Sequence, residues 1–212
     1  MDDRSRSYDA VAERYAAEFG SELDSKPLDR SLLGVIAELA GRGPVTDIGC
    51  GPGHVAAHLS GLGVRTIGVD ISSCMCAVAN RERNIPSAAG DMGALPLASS
   101  SMEAIICFYA LIHLDSGERD AAYSEFARVL RPGGYVLVAF HVFDDESAVG
   151  EAKTRTEWWG NDVELTFRFL DPEEELAALA RVGLEPIARL DRAPHVEVEH
   201  PSHRSYLLAR LP

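Results

Sequence analysis

Apolar positions recur along this chain with two alternating periods, one helical and one extended. Tyr8, Val11, Tyr15 and Phe19 fall near helical spacing and predict an amphipathic helix over residues 7–18. Residues 28–39 predict a second helix, with Pro27 at its start and Gly41 just beyond its end. A short apolar strand over 44–48 follows, then a helix over 54–60 that ends at Gly61. Residues 64–69 read as a strand closed by Asp70, and Ser72 or Ser73 can cap the next helix, which runs to Arg83. Residues 87–89 form a short third strand. Ala104-Ile105-Ile106-Cys107-Phe108 gives 102–109 the composition of a strand buried on both faces. A helix over 117–130 is broken by Pro132-Gly133-Gly134, and a strand over 135–140 follows. Asp171 caps a helix that starts at Pro172, with Glu173, Glu174 and Glu175 in the first turn, where the macrodipole favours negative charge. Strands over 185–191 and 203–210 finish the chain.

Strands that alternate with helices predict an α/β fold, a parallel sheet covered on both faces. The last two strands are separated only by residues 192–201, too few for a crossover helix, so they pair antiparallel. The pattern fits one domain over 1–212, with the helices of about 1–40 as a lid. The stretch of about 142–169 is too long for a simple strand-to-helix connection and reads as a substrate-side insertion. It carries Lys153, Arg155, Glu157, Asp162 and both tryptophans of the chain, Trp158 and Trp159. Anchoring the insertion and contacting a substrate are equally open roles for that pair.

Length and composition narrow the class without naming a function. At 212 residues the chain can bury a sizeable core, and 46% hydrophobic with 25% charged residues is ordinary for a water-soluble protein. A net charge of −13 argues against a nucleic-acid partner, which needs a basic face. No apolar run reaches membrane-spanning length, and the start lacks the basic and apolar segments of a secretory signal. The expectation is a cytoplasmic protein with reduced thiols. Cys74 and Cys76 are too close for a metal pair and should pack as small hydrophobes on a helix. No histidine or carboxylate cluster suggests a metal, and oligomeric state is open.

The most informative stretch is Val45-Thr46-Asp47-Ile48-Gly49-Cys50-Gly51-Pro52-Gly53. Alternate glycines after a strand let the backbone turn sharply and approach a nucleotide closely. The dinucleotide fingerprint needs its third glycine where His54 stands, so that spacing fails. What remains, D-x-G-x-G-x-G, resembles the first motif of class I S-adenosylmethionine-dependent methyltransferases, of the type that acts on small molecules. Gly90-Asp91-Met92, the segment from Phe108 to His113, and Leu130-Arg131-Pro132-Gly133-Gly134 resemble later motifs of that family, in the right order over about residues 8–140. The resemblance implies a Rossmann-like seven-stranded sheet, order 3-2-1-4-5-7-6, with the last strand antiparallel.

It also implies a site for S-adenosylmethionine. Asp47, with Gly49, Cys50, Gly51 and Gly53, would lie near the cofactor's amino-acid end, and Asp70, with Ile71 beside it, near the ribose hydroxyls. Asp91 and the Met92 backbone would meet the adenine, while Phe108, Tyr109 and His113 would line the cofactor. Tyr8 and Tyr15 are both open to reaching the methionine carboxylate. The implied reaction is in-line methyl transfer to an oxygen, nitrogen or carbon of a small acceptor, in which positioning supplies much of the catalysis. A base is needed only where the nucleophile must lose a proton, and His113 and His141 are the candidates, each just beyond a central strand. Glu157, Trp158 and Trp159 are the candidate substrate contacts, whereas His54, His58, His195, His200 and His203 read as structural or surface residues. Two other classes are carried: a catalytically silent S-adenosylmethionine-binding or interaction protein, and a nicotinamide-dependent oxidoreductase.

Overall fold

The computed structural model describes residues 3–195 and 197–212. Its helices are α1 (Asp3–Phe19), α2 (Pro27–Ala40), α3 (His54–Gly61), α4 (Ser73–Arg83), α5 (Ser116–Val129) and α6 (Pro172–Arg181). The strands are β1 (Pro44–Ile48), β2 (Arg65–Asp70), β3 (Ser87–Ala89), β4 (Met102–Phe108), β5 (Leu130–Asp144), β6 (Ala152–Trp158), β7 (Asn161–Arg168), β8 (Glu185–Arg192) and β9 (Ser202–Arg210). Short 3-10 turns lie at Glu22–Ser25 and Leu111–His113. Seven strands form one sheet in the order β3-β2-β1-β4-β5-β9-β8. β9 runs antiparallel to both β5 and β8, while β1 pairs in parallel with β2 and β4. Leaving out β6 and β7, this is the order 3-2-1-4-5-7-6 with the last strand reversed.

Period-2 alternation divides the core between the two faces of this sheet. On β4, Ile105 and Cys107 join Val136, Val138, Phe126 and Leu179 on one side. Ala104 and Ile106 join Leu33, Ile36, Val45 and Leu137 on the other. All five residues of β1 are buried, as a central strand with helices on both faces requires. The helix caps carry local hydrogen bonds. Ser72 accepts the Met75 N–H at 3.0 Å, and Asp171 accepts the Glu173 N–H at 2.9 Å. Asp115 and Glu118 form a reciprocal capping box at the start of α5.

Two local expectations need correction, and the 142–169 insertion takes a form the sequence did not specify. β5 begins at Leu130 instead of 135, because the turn residues have partners: Gly133 donates to the Leu211 carbonyl at 2.7 Å, and Leu211 donates to that of Gly134 at 2.9 Å. Only Cys76 of the helical cysteine pair is buried, since Cys74 lies on the outer face of α4. The stretch 142–169 contains regular structure, an antiparallel hairpin of β6 and β7. Trp159 and Gly160 form its two-residue turn, with φ of 53° and 80°, the hand that matches strand twist. A tryptophan in the left-handed region is strained, and its packing against neighbouring rings holds it there.

The hairpin docks on α1. Val163 and Leu165 pack against Val11, with Tyr8, Trp158, Trp159 and Phe167 at the edge of the cluster. α1 is in turn fixed to the core by Asp9, which accepts the Ser72 hydroxyl at 2.6 Å and the Cys74 N–H at 2.9 Å. The first helix and the hairpin thus form one layer over the C-terminal ends of the parallel strands. Among the described residues, no helix is long and apolar enough to cross a membrane.

Candidate active site

A cleft opens where the order of the parallel strands reverses, outside the carboxyl ends of β1, β2 and β4. Measured out to its open mouth, open solvent included, it spans about 990 Å³. The glycine loop forms its floor. Gly49 donates its N–H to the Val69 carbonyl at 2.7 Å, fastening the loop to β2. Gly49 has φ 71°, and an added Cβ would lie 2.2 Å from that of Ala110. Gly51 has φ 51° and nothing within 4 Å of where its Cβ would be, so the loop leaves open space on the cleft side. Gly53 instead lies behind the loop, against Ala79.

Two buried carboxylates stand over this floor. Asp70 accepts the Gly51 N–H and the Ser72 N–H, each at 2.8 Å. Burial nevertheless pushes its pKa up to about 6. Asp47 is 2% exposed, and its Oδ2 has no hydrogen-bond partner. Burial, and then the charge of Asp70, push its pKa up to about 7 against the pull of the Ala56 N–H. A cationic ligand in the cleft would relieve both carboxylates.

The opposite wall comes from α1 and the turn after β4. His113 Nδ1 lies 2.8 Å from the Thr166 carbonyl, which only accepts, so Nδ1 carries the proton. Burial holds the imidazole pKa down to about 4, and the ring is neutral near pH 7. Its Nε2 is therefore the acceptor for the Tyr8 hydroxyl at 2.7 Å. Both nitrogens are engaged, and His113 joins α1 to β7. Tyr15 lines the cleft beside Tyr8, at a ring distance of 6.1 Å.

Ile71, Cys50, Asp91, Met92, Phe108 and Tyr109 also line the cleft, so the strand ends bring the expected cofactor residues together. Asp91 is exposed at the far end and accepts the Gly93 N–H at 2.8 Å. Tyr109 adopts φ 56° at the end of β4, a strained backbone position beside the site. Other candidates stand apart. His141 lies beyond Tyr109, stacked on it at 5.1 Å, with Nδ1 2.6 Å from the Ser202 hydroxyl. Burial holds its pKa down to about 3. Trp158 packs on Tyr15 at 5.7 Å and stacks on Trp159 at 4.7 Å, and neither lines the cleft. Glu157 turns back to accept the Gly160 N–H in its own hairpin.

Arg4 and Glu22 line the cleft without having been singled out in the sequence, and His54, expected to be a structural or surface residue, lines it as well. His54 Nε2 is 2.9 Å from Glu22 Oε1, and the second Glu22 oxygen is 2.6 Å from Lys26 Nζ. His54 and Lys26 together outweigh burial and hold the Glu22 pKa down to about 2. This contact ties the Glu22–Ser25 turn to the start of α3. No local pattern announces it, since the partners are 32 positions apart and neither element is amphipathic enough to show its inner face.

Comparisons agree with this geometry. Residues 45–134, from the glycine loop to the turn within β5, match the family described as "Methyltransferase domain". Over 94 residues the chain is 38% identical to a malonyl-[acyl-carrier protein] O-methyltransferase of Yersinia pestis, covering 44% of this chain and 34% of the relative. Over 136 residues it is 32% identical to a demethylmenaquinone methyltransferase of Beutenbergia cavernae, covering 62% of this chain and 55% of the relative. The chain thus spans about a third to just over half the length of these relatives. A solved structure described as a DhpI–SAH complex superposes with a TM-score of 0.72, at 25% identity, over 99% of this chain and 96% of that one. A Methanosarcina mazei protein described as an S-adenosylmethionine-dependent methyltransferase shares the fold at a TM-score of 0.73 and 17% identity, over 83% of this chain and 96% of that one. The sheet order, and the cleft at the point where that order reverses, are those of a Rossmann-like α/β protein. Over residues 45–134 the chain is similar to methyltransferase domains, and its fold is that of a solved S-adenosylmethionine-dependent methyltransferase.

Proposed function

We propose that this protein transfers the methyl group of S-adenosylmethionine to a small-molecule acceptor. The observation that carries the reading is Asp47: a buried carboxylate with an unpartnered oxygen, over an open glycine floor, beside a second buried carboxylate. Such a cradle suits a ligand with a cationic amino-acid end and a diol. Asp47 and the Gly49–Gly51 backbone would hold the amino-acid end, Asp70 the ribose hydroxyls, and Asp91 with Met92 the adenine. When bound, the cofactor supplies an electrophilic methyl on a sulfonium.

The chain's own residues contribute position and exclusion of water. Tyr8, with its proton committed to His113, offers the cleft an acceptor oxygen only. α1 and the β6–β7 hairpin cover the site, and the Glu22–His54 contact fastens that cover to the glycine loop. His113 holds the cover in place, since both its nitrogens are bonded across elements. The relatives are named for unlike acceptors, malonyl-[acyl-carrier protein] and demethylmenaquinone, so they do not choose one for this chain.

Calorimetric titration with S-adenosylmethionine, S-adenosylhomocysteine and NAD tests the cofactor; binding of NAD alone would sink the proposal. Asp70→Ala should weaken S-adenosylhomocysteine binding by roughly 1–3 kcal/mol, through loss of charge-assisted hydrogen bonds. Unchanged affinity would mean the ribose lies elsewhere. Turnover with a panel of phenols, amines and carboxylic acids then separates an enzyme from a protein that only binds the cofactor.

A further inference from the structure

Beside the glycine loop two thiols meet whose sulfurs have no part in the cofactor reading. Cys50 stands between Gly49 and Gly51 in the loop, and Cys76 lies in the first turn of α4. Both are free thiols and both are buried, at 2% and 5% exposure. The Cys50 sulfur packs on β2, where a Cβ on Gly68 would lie 2.6 Å from it. There it shares a side-chain hydrogen bond with the Cys76 thiol. The Cys76 sulfur is also 3.9 Å from the Asp70 carbonyl, and the Cys50 sulfur 3.6 Å from that of Gly51. Of the other two cysteines, Cys74 is exposed on the outer face of α4 and Cys107 is fully buried in β4.

Packing a loop on a helix needs no sulfur on either side, since small apolar residues fill the same space. Two thiols in contact add one chemical property, the ability to join. The hydrogen bond between them also separates their acidities. It lowers the pKa of Cys76 below the ordinary thiol value and, together with burial, raises that of Cys50. A low-pKa thiol with a second thiol beside it is the arrangement that peroxides oxidise to a disulfide. Such a bond would act on the loop itself. The Gly49 and Cys50 N–H groups reach the Val69 carbonyl at 2.7 and 3.2 Å, and the Gly51 N–H reaches Asp70 at 2.8 Å. Bonded sulfurs stand closer than thiols in contact, so the loop, the start of α4 or both must shift. Gly51 and Asp70 flank that shift, and they are the floor and the ribose carboxylate of the cofactor reading.

We propose that Cys50 and Cys76 are a redox pair whose disulfide closes the cleft to its cofactor. The effect on the cofactor rests on the methyl-transfer reading, whereas formation of the bond does not. Hydrogen peroxide, little larger than water, is the oxidant that balances the step. The Cys76 thiolate attacks one peroxide oxygen, giving a sulfenic acid and hydroxide, which takes up the proton that Cys76 lost. The Cys50 thiol then attacks the Cys76 sulfur, and its proton leaves with the hydroxyl group as water. Two thiols and one peroxide give one disulfide and two waters. By linkage, a cofactor that the disulfide excludes opposes the disulfide to the same degree.

The test treats the full chain carrying Cys74→Ser, which removes the exposed thiol, with hydrogen peroxide, and reads the product by intact mass and peptide mapping. The expected product has lost two hydrogens, with Cys50 joined to Cys76. It should bind S-adenosylhomocysteine at least tenfold more weakly than the untreated protein, and dithiothreitol should restore the affinity. Saturating S-adenosylhomocysteine should slow the oxidation. With Cys76→Ser added, peroxide should leave the affinity unchanged; where that double variant does not fold, reversal by dithiothreitol decides. No reaction, sulfinic acid without the disulfide, or a disulfide that leaves the affinity as it was overturns the proposal. If the reduced protein does not bind S-adenosylhomocysteine, the cofactor reading fails and takes the effect on binding with it. The mass alone then decides the redox pair.

Discussion

At the scale of single residues, the site is defined by carboxylates kept from their usual charge. Burial raises Asp47 to about 7 and Asp70 to about 6, against ordinary values near 4. Raised pKa values mean that the folded chain keeps protons the unfolded chain has lost. Their stabilising contribution is complete below about pH 4 and disappears as pH rises through 6 and 7. The two histidines act with the opposite sign. They are held neutral at about 4 and about 3, and stability is lost as pH falls below their ordinary value near 6.5. The two trends overlap in any melting curve, so ligand binding is the cleaner readout. A cationic cofactor end should drive protons off Asp47 and Asp70. Calorimetry at pH 6.5, in buffers of different protonation enthalpy, should show net proton release on S-adenosylmethionine binding. Release should vanish by pH 8.5, where both groups are already ionised, and shrink in Asp47→Asn. Proton uptake at pH 6.5 would contradict the assignment.

At the scale of elements, the contacts between α1 and the β6–β7 hairpin decide whether the cleft is covered. Trp158 is the hinge pin of that layer, with ring contacts to Tyr8 at 6.4 Å, Tyr15 at 5.7 Å and Phe19 at 6.4 Å, and the Arg155 guanidinium 4.7 Å from its ring centroid. Trp158→Ala should cost about 2 kcal/mol, below the range for a fully buried aromatic because the ring is half-buried. Hydrogen exchange should rise together in α1 and the hairpin while β1 and β4 stay protected; a rise confined to the hairpin would show that the two do not form one layer. The regular elements of the sheet were legible because buried strands and amphipathic helices announce their periods. The hairpin was less so. Val163, Leu165 and Phe167 alternate with Glu164, Thr166 and Arg168, a period-2 signal, but Lys153, Arg155 and Glu157 make β6 read as a polar loop. His54–Glu22 and Cys50–Cys76 were invisible for another reason. Each joins residues from separate elements, and only the sheet order brings them together.

At the scale of the whole molecule, the two faces of the sheet and the covering layer share residues, so the chain should unfold as one unit. Tyr8 and Tyr15 touch the α1–α4 cluster, and Tyr8 also touches the hairpin cluster. Tyr109 joins the clusters on both faces of the sheet. A calorimetric scan should therefore show a single transition. If the folded cleft holds the cofactor as proposed and the unfolded chain does not, saturating ligand must raise that transition by mass action. At one hundred times Kd, S-adenosylhomocysteine adds about 2.7 kcal/mol. For a chain of this size that corresponds to a rise in Tm of roughly 5–10 °C. NAD at the same concentration should leave Tm unchanged. Two separate transitions, with only one moved by S-adenosylhomocysteine, would mean that part of the chain folds independently of the cleft. A cover that melts first would shift too, since Tyr8, Tyr15 and Glu22 belong to both the cover and the site.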